Sequence, residues 1–481
     1  MNKPTFIGLA AMLLAARFFH FGSTIDLPHD WRQCDTAYYI WDFYHHGINP
    51  LEPAVCWMGG YERVILEFPL PEAAVALLYQ LTGASIPVAR LFFLACFAGA
   101  VFYFYRIVKL LWGEKLAQWA SLIYLSLPLA WYYSRAIHID FSAIAAAHAM
   151  LFYYLRGVGE RRNVDLVKAV LAATLAFLIK VPYAFYLALP MLVFTWYAGA
   201  LRWVLLRSWW WLLPLGTFAF WQQYVHAVNS AAPDWDFLPH YRKFDDNAAW
   251  YFGHWSRRLQ WVPWKILLKR SVLEAAGPGT LLLLVLGLRK RIPRAPLFWS
   301  WVLGVVVYVL IFFNLNIIHN YYQLPLLASI AILGAWGLTQ WSASIPKLVP
   351  LALGLGLVFN ITFAEREYFT RVPDLIEIGW LIQQQTQEED LVVVSYGKMD
   401  CRNPRILYRA RRRGWSLEVA GLQREVLERL RREEGARVWA YVGTALPAAV
   451  GSWGLPEAQV FKLENSAESL FLFSLADWNH E

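Results

Sequence analysis

Eleven apolar segments, at 4–22, 87–111, 115–133, 141–156, 164–180, 182–199, 208–226, 274–288, 296–313, 321–341 and 347–364, fill the first three quarters of this 481-residue chain. Each approaches the length of about 20 residues that a helix needs to cross a bilayer. Lipid offers backbone groups no partners, so such segments must satisfy their hydrogen bonds internally, as helices. Composition agrees: 58% of residues are hydrophobic, 17% aromatic and only 16% charged, where a soluble domain carries about 25% charged residues. Disordered, collagen-like and disulfide-stapled secreted chains are excluded. The charge density changes abruptly near 365, with 33 charged residues in the last 117 but only 45 in the first 364. The expectation is an all-α polytopic membrane body at 1–364, followed by a small soluble α/β domain at 365–481.

Basic residues orient the body. They gather at Lys3, at Arg106, Lys109 and Lys115, at Arg156, Arg161 and Arg162, at Arg202 and Arg207, at Arg289 to Arg294, and at Lys347. All fall on one side of the expected spans, which the positive-inside rule makes cytoplasmic. The N-terminus then lies in the cytoplasm, while the loops 23–86 and 227–273 and the C-terminal domain lie outside. This alternation requires that 70–83, with Pro71 and Glu72, form a helix lying at the interface instead of a span. The formal charge of +8 is largely accounted for by these loops and implies no nucleic-acid partner. Of the 17 acids in the body, 13 fall in the outer loops. Acids contribute little to topology, so this bias points to chemistry on the outer face.

In the C-terminal domain, 390–396 and 436–442 read as buried strands, 423–435 as a charged amphipathic helix, and 460–462 with 470–474 as late strands. No glycine-rich nucleotide fingerprint follows either strong strand. The basic run 409–413 reads as a solvated helix face, with phosphate or polysaccharide contact as the alternative. Cys34 and Cys56 form a candidate pair only if their loop faces an oxidising compartment. The sequon at 360–362 lies at a helix end and carries no weight.

The first outer loop is the most informative stretch. It reads His29-Asp30-Trp31-Arg32-Gln33-Cys34-Asp35-Thr36-Ala37-Tyr38-Tyr39-Ile40, then continues to Leu66-Glu67-Phe68-Pro69-Leu70. The pattern from 36 to 44 suits an interfacial helix with Asp35 at its N-terminal end, where the dipole favours an ionised carboxylate. An ionised carboxylate beside the membrane can take a proton from an acceptor hydroxyl. The plainer alternative is that Asp35 only caps the helix.

These residues resemble the first outer loop of GT-C glycosyltransferases, above all family 39, which includes protein O-mannosyltransferases and the lipid A aminoarabinose transferases. The resemblance is specific in this loop, weaker through the rest of the membrane body and looser in the tail. It implies a GT-C fold and a catalytic carboxylate at Asp35. It makes Glu67 the acid before the loop-ending proline, although Phe68 stands where aminoarabinose transferases have a lysine. Many members have a second acid directly after the first, where this chain has Thr36. Residues 134–141 are similar to the family's second outer loop, with Asp140 as the acid that opens the next helix. Residues 178–182 resemble a Lys-x-Pro turn centred on Lys180, and 318–325 resemble the stretch before a late helix, containing His319.

The resemblance implies a sugar donor linked to a polyprenyl phosphate, whose leaving phosphate gains negative charge and calls for fixed positive groups. Lys180, Arg135, His138 and His319 at outer helix ends are the candidates for holding it; anchoring at the interface is their alternative role. Asp35 is the expected general base of an inverting transfer, with Glu67 and Asp140 ordering the base or the acceptor. A glycan, a lipid or a protein hydroxyl is the acceptor. Asp35, Asp140 and Glu67 could offer oxygen ligands to a divalent cation, but no closely spaced ligand cluster demands a metal. The implied location is a bacterial inner membrane. The rival readings are a secondary transporter, whose ionisable groups would sit near mid-membrane in repeated halves, and a catalytically silent relative that binds a lipid or a partner.

Overall fold

A computed structural model describes residues 2–61, 63–238, 241 and 247–478. The outer-loop acids Glu62, Asp245 and Asp246 lie outside the described residues. The chain folds as two compact units, one made of 1–23, 85–223 and 246–369, the other of 24–84, 224–245 and 370–481.

The first unit is helical, and every expected apolar segment contributes helix to it. Among the described residues, two helices are long and apolar enough to cross a membrane unaided, Ile86–Trp112 and Pro346–Glu367. A third span arises if Trp261–Ala276 and Leu281–Leu288, bent by 99° at their junction, count as one. The remaining segments are shorter or interrupted, so the expected eleven are eleven helical regions instead of eleven unbroken rods. Proline accounts for several breaks, because it disfavours helix at the residue before it and supplies no N–H. Glu114–Ser126 stops at Leu127 and restarts as Pro128–Tyr133. Asn163–Lys180 gives way at Val181 to Pro182–Phe185.

The 99° bend has a specific support. Gly277 adopts φ +75, and a Cβ there would come 2.4 Å from Asn360 Oδ1. Asn360 accepts from the Gly279 N–H at 2.8 Å and donates to Thr280 Oγ1 at 2.8 Å. The asparagine of the sequon is therefore a buried cap for the broken helix.

The second unit is built around a five-stranded sheet. Its strands are β1 (Leu391–Tyr396), β2 (Arg413–Leu417), β3 (Ala436–Gly443), β4 (Gln459–Lys462) and β5 (Ser469–Ser474), in the order β2-β1-β3-β5-β4. β1 pairs parallel with β2 and β3, whereas β5 runs antiparallel to β3 and β4. The expected strands and the amphipathic helix, found as Arg424–Glu434, are all present. β2 was not anticipated: the basic run ends the helix Arg405–Ala410 and enters this strand.

The run is not a solvated face either. Arg412 is buried and donates to the carbonyls of Gln383 and Thr386.

The first outer loop packs within this unit. Trp57, Met58 and Trp235 share one hydrophobic core with Trp415 and Trp439. Gly59 donates to Gly414 O and Gly414 to Cys56 O. A Cβ on Gly59 would lie 2.1 Å from the Trp415 indole, so only glycine permits this approach. The packing thus groups the loops 24–84 and 224–245 with the tail, where the sequence pattern assigned them to the membrane body. Cys34 and Cys56 are both buried free thiols, which removes the candidate disulfide.

Candidate active site

The first-loop carboxylates sit on two helices of the second unit, Asp30–His46 and Leu70–Thr82, and on the segment before the latter. Asp35 is not at a helix start. The helix begins five residues earlier, so the dipole does not explain its state. Side chains hold it instead. Trp57 Nε1 donates to Asp35 Oδ1 at 3.0 Å, and Arg32 Nη1 lies 3.6 Å from Oδ2. Arg32 Nη2 also bonds Glu67.

Burial pushes the Asp35 carboxyl up to about 6, against the opposing pull of Arg32 and Trp57 and with a smaller push from Glu67. It is a stronger base than an ordinary carboxylate, yet ionised at neutral pH, which suits proton abstraction.

Glu72 is another buried acid of this region. Burial, with Glu67 nearby, raises its carboxyl to about 8, so it holds its proton at neutral pH. Asp30, in the first turn of the Asp35 helix, lies between Arg405 at 3.6 Å and Arg409 at 3.4 Å.

The first unit holds a second polar centre. Asp140 opens the helix Asp140–Glu160, as expected, and is fully buried. Lys180 Nζ donates to its Oδ1 at 2.7 Å and Tyr183 OH to its Oδ2 at 3.1 Å. His138 Nδ1 lies 3.3 Å from Oδ2. Lys180 is also enclosed by the rings of Tyr183, Tyr321 and Tyr322, at 4.6 to 4.9 Å. It is a buried partner of Asp140, not an interfacial anchor, and a phosphate would meet an ion pair here instead of a bare cation.

Tyr321 joins the two histidines, with His138 at 4.6 Å and His319 stacked nearly parallel at 5.1 Å. Arg135 is buried, 4.4 Å from the Phe369 ring. Of the candidate residues, Asp35 and Glu67 come together through Arg32, and Asp140, Lys180 and His138 come together directly.

Several participants were not singled out from the sequence. Arg32 precedes Asp35 by one turn, a spacing that becomes visible once the helix is extended back to Asp30. Tyr321 falls inside the stretch 318–325 without standing out from its neighbours, and Trp57 and Tyr183 carry no local signal. Neither does Glu274, which accepts from Asn320 Nδ2 at 2.8 Å and Tyr368 OH at 3.4 Å. Among the described residues, no three His, Cys, Asp or Glu side chains are grouped closely enough to hold a metal ion.

The family model for dolichyl-phosphate-mannose-protein mannosyltransferases matches residues 68–224. No curated protein matches the chain. Among solved structures, it is similar to ArnT from Cupriavidus metallidurans bound to undecaprenyl phosphate, at 14% identity and a TM-score of 0.62, over 100% of both chains. It is also similar to the apo oligosaccharyltransferase of Archaeoglobus fulgidus, at 10% identity and a TM-score of 0.56, over 91% of this chain and 70% of that one. A third match is AglB from Archaeoglobus fulgidus in complex with an inhibitory peptide and a dolichol-phosphate, at 10% identity and a TM-score of 0.52, over 100% and 75%. Likeness at these identities is a likeness of fold. The helical body and small mixed-sheet domain thus share the fold of these solved structures, and the family-model match falls on 68–224 of that body.

Proposed function

We propose that this protein is an integral membrane glycosyltransferase that moves a sugar from a polyprenyl-phosphate carrier to an acceptor hydroxyl. The observation that carries the reading is Asp35: a buried carboxylate, held by Trp57 and Arg32, with its basicity raised but its charge retained at neutral pH. Asp35 takes the acceptor's proton as the new bond to the anomeric carbon forms. The bond from that carbon to the phosphate oxygen breaks, and the lipid phosphate departs with the electron pair. One displacement of this kind inverts the anomeric centre.

Arg32 and Glu67 fix the orientation of the base. In the first unit, Lys180, His138, His319 and Arg135 are the proposed contacts of the lipid phosphate, and Asp140 orders Lys180 and His138. The solved relatives bound to undecaprenyl phosphate and to a dolichol-phosphate support a lipid-phosphate carrier. The basic loops favour a cytoplasmic N-terminus and chemistry on the opposite face, in keeping with a bacterial inner membrane. The acceptor is a hydroxyl on a glycan, a lipid or a protein.

The test is transfer by the purified full-length protein from undecaprenyl-phosphate-linked sugars, with the anomeric configuration of the product read by NMR. Inversion is expected. Retention removes the single-displacement mechanism, and absence of transfer from every such donor removes the function.

A further inference from the structure

Glu274 has no role in the scheme above, although it sits at an unusual place. It lies in a π-helical stretch, Arg270–Ala276, directly before the 99° break. π-Helical turns concentrate at functional sites, and an ionisable residue within an apolar helical body is costly unless it is used.

Its surroundings orient it closely. Tyr133 OH donates to Asn320 Oδ1 at 2.5 Å, and Asn320 Nδ2 donates to Glu274 Oε2 at 2.8 Å. Tyr368 OH reaches the same oxygen at 3.4 Å. Neighbouring Arg270 donates to Asn316 O and Ile318 O at 3.1 Å each, and its charge also attracts the Glu274 carboxylate.

The contrast with Asp140 is informative. Both Asp140 oxygens are occupied by Lys180 and Tyr183, and its side chain is fully buried. Glu274 is half-buried, and among the described residues no group bonds its Oε1. The same centre therefore contains one closed carboxylate and one with an acceptor oxygen held in place and open. Tyr133 connects the two parts, since its ring lies 5.7 Å from His138 and 5.9 Å from Tyr321. An open carboxylate oxygen beside aromatic faces is the chemistry that receives a sugar hydroxyl.

We infer that Glu274 is a specificity-determining residue that accepts a hydrogen bond from a hydroxyl of the donor's sugar. The inference rests on the glycosyltransferase reading and assigns the sugar to this centre of the first unit. The full-length protein in lipid nanodiscs is titrated with bare undecaprenyl phosphate and with undecaprenyl phosphate linked to mannose, glucose or arabinose. Wild type is expected to bind at least one sugar-bearing lipid more tightly than the bare lipid.

Glu274→Gln should weaken that lipid by about tenfold or more, the loss of one hydrogen bond to a charged acceptor, and leave bare undecaprenyl phosphate unchanged. Glu274→Asp should restore part of the preference. Equal weakening of bare and sugar-bearing lipids, or an unchanged preference in Glu274→Gln, overturns the assignment, as does a wild type that prefers no sugar-bearing lipid. Should Glu274→Gln fail to fold, Asn320→Ser withdraws the orienting amide and is read against the same outcomes. A wild type that binds none of these lipids overturns the glycosyltransferase reading itself.

Discussion

Arg32 and Asp35 face each other one helical turn apart, with Arg32 Nη1 3.6 Å from Asp35 Oδ2 while the same guanidinium bonds Glu67. One cation thus serves two carboxylates, and it is the strongest influence that keeps Asp35 ionised despite burial. Replacing Arg32 with Met should raise the Asp35 pKa further and move the acid limb of the pH–rate profile to higher pH. Arg32→Lys should shift it less, because a lysine keeps the charge but not the forked geometry. An unmoved limb in Arg32→Met would show that Asp35 is not the titrating base.

The wild-type profile follows from the same carboxyl. Asp35 must be deprotonated to act, and its pKa is about 6. The value of kcat/KM should therefore rise from pH 5 to 7 and level off above that. Asp35→Asn should reduce transfer by about 10² to 10⁴, the range of general-base catalysis, with thermal stability retained. Normal turnover by a folded Asp35→Asn protein would remove the base from the mechanism.

Glu72 makes a prediction about stability. Its carboxyl titrates near 4.5 in an unfolded chain and near 8 when buried here. Between those values the unfolded chain releases a proton that the folded one keeps. Stability is therefore full below pH 4.5, falls as pH rises, and is lowest above pH 8. The cost in the folded state is on the order of 5 kcal/mol, at about 1.4 kcal/mol per pH unit. Glu72→Gln should flatten this slope, so melting curves of variant and wild type should diverge between pH 5 and 8.5. Parallel curves would refute the assignment.

The Lys180–Asp140 pair should behave as a unit. Lys180→Met leaves a buried carboxylate without its cation and should destabilise the protein by about 3–5 kcal/mol. Adding Asp140→Asn removes that stranded charge and should recover much of the loss. Thermal unfolding of the two single variants and the double variant gives the coupling directly; additive losses would mean the contact is not an energetic pair.

Much of the architecture was legible in the chain. Long apolar stretches dictate helices because lipid gives the backbone no other partners, and short apolar runs rich in valine and aromatics mark β1 and β3. The first loop was legible as the candidate site because acids, arginine and aromatics are concentrated there. Asp140 and Lys180 were readable as candidates, but not as partners. Nothing in a stretch 40 residues long states that its two ends will meet inside a helical body. Glu274 looked like the start of an apolar span, since one acid beside a long leucine run carries no spatial information.

Residue order by itself determined which segments are helical, where the charged tail begins, and which loop concentrates acids beside arginine and aromatics, because periodicity and solubility act locally along a chain. Tertiary packing alone decided the charge state and partner of each acid. Asp35 owes its basicity to burial and to Trp57 and Arg32, and Asp140 is occupied by Lys180. Glu72 is neutral because burial, with Glu67 nearby, outweighs the pull of Arg32. Desolvation and hydrogen bonding depend on neighbours in space, and those neighbours come from distant parts of the sequence.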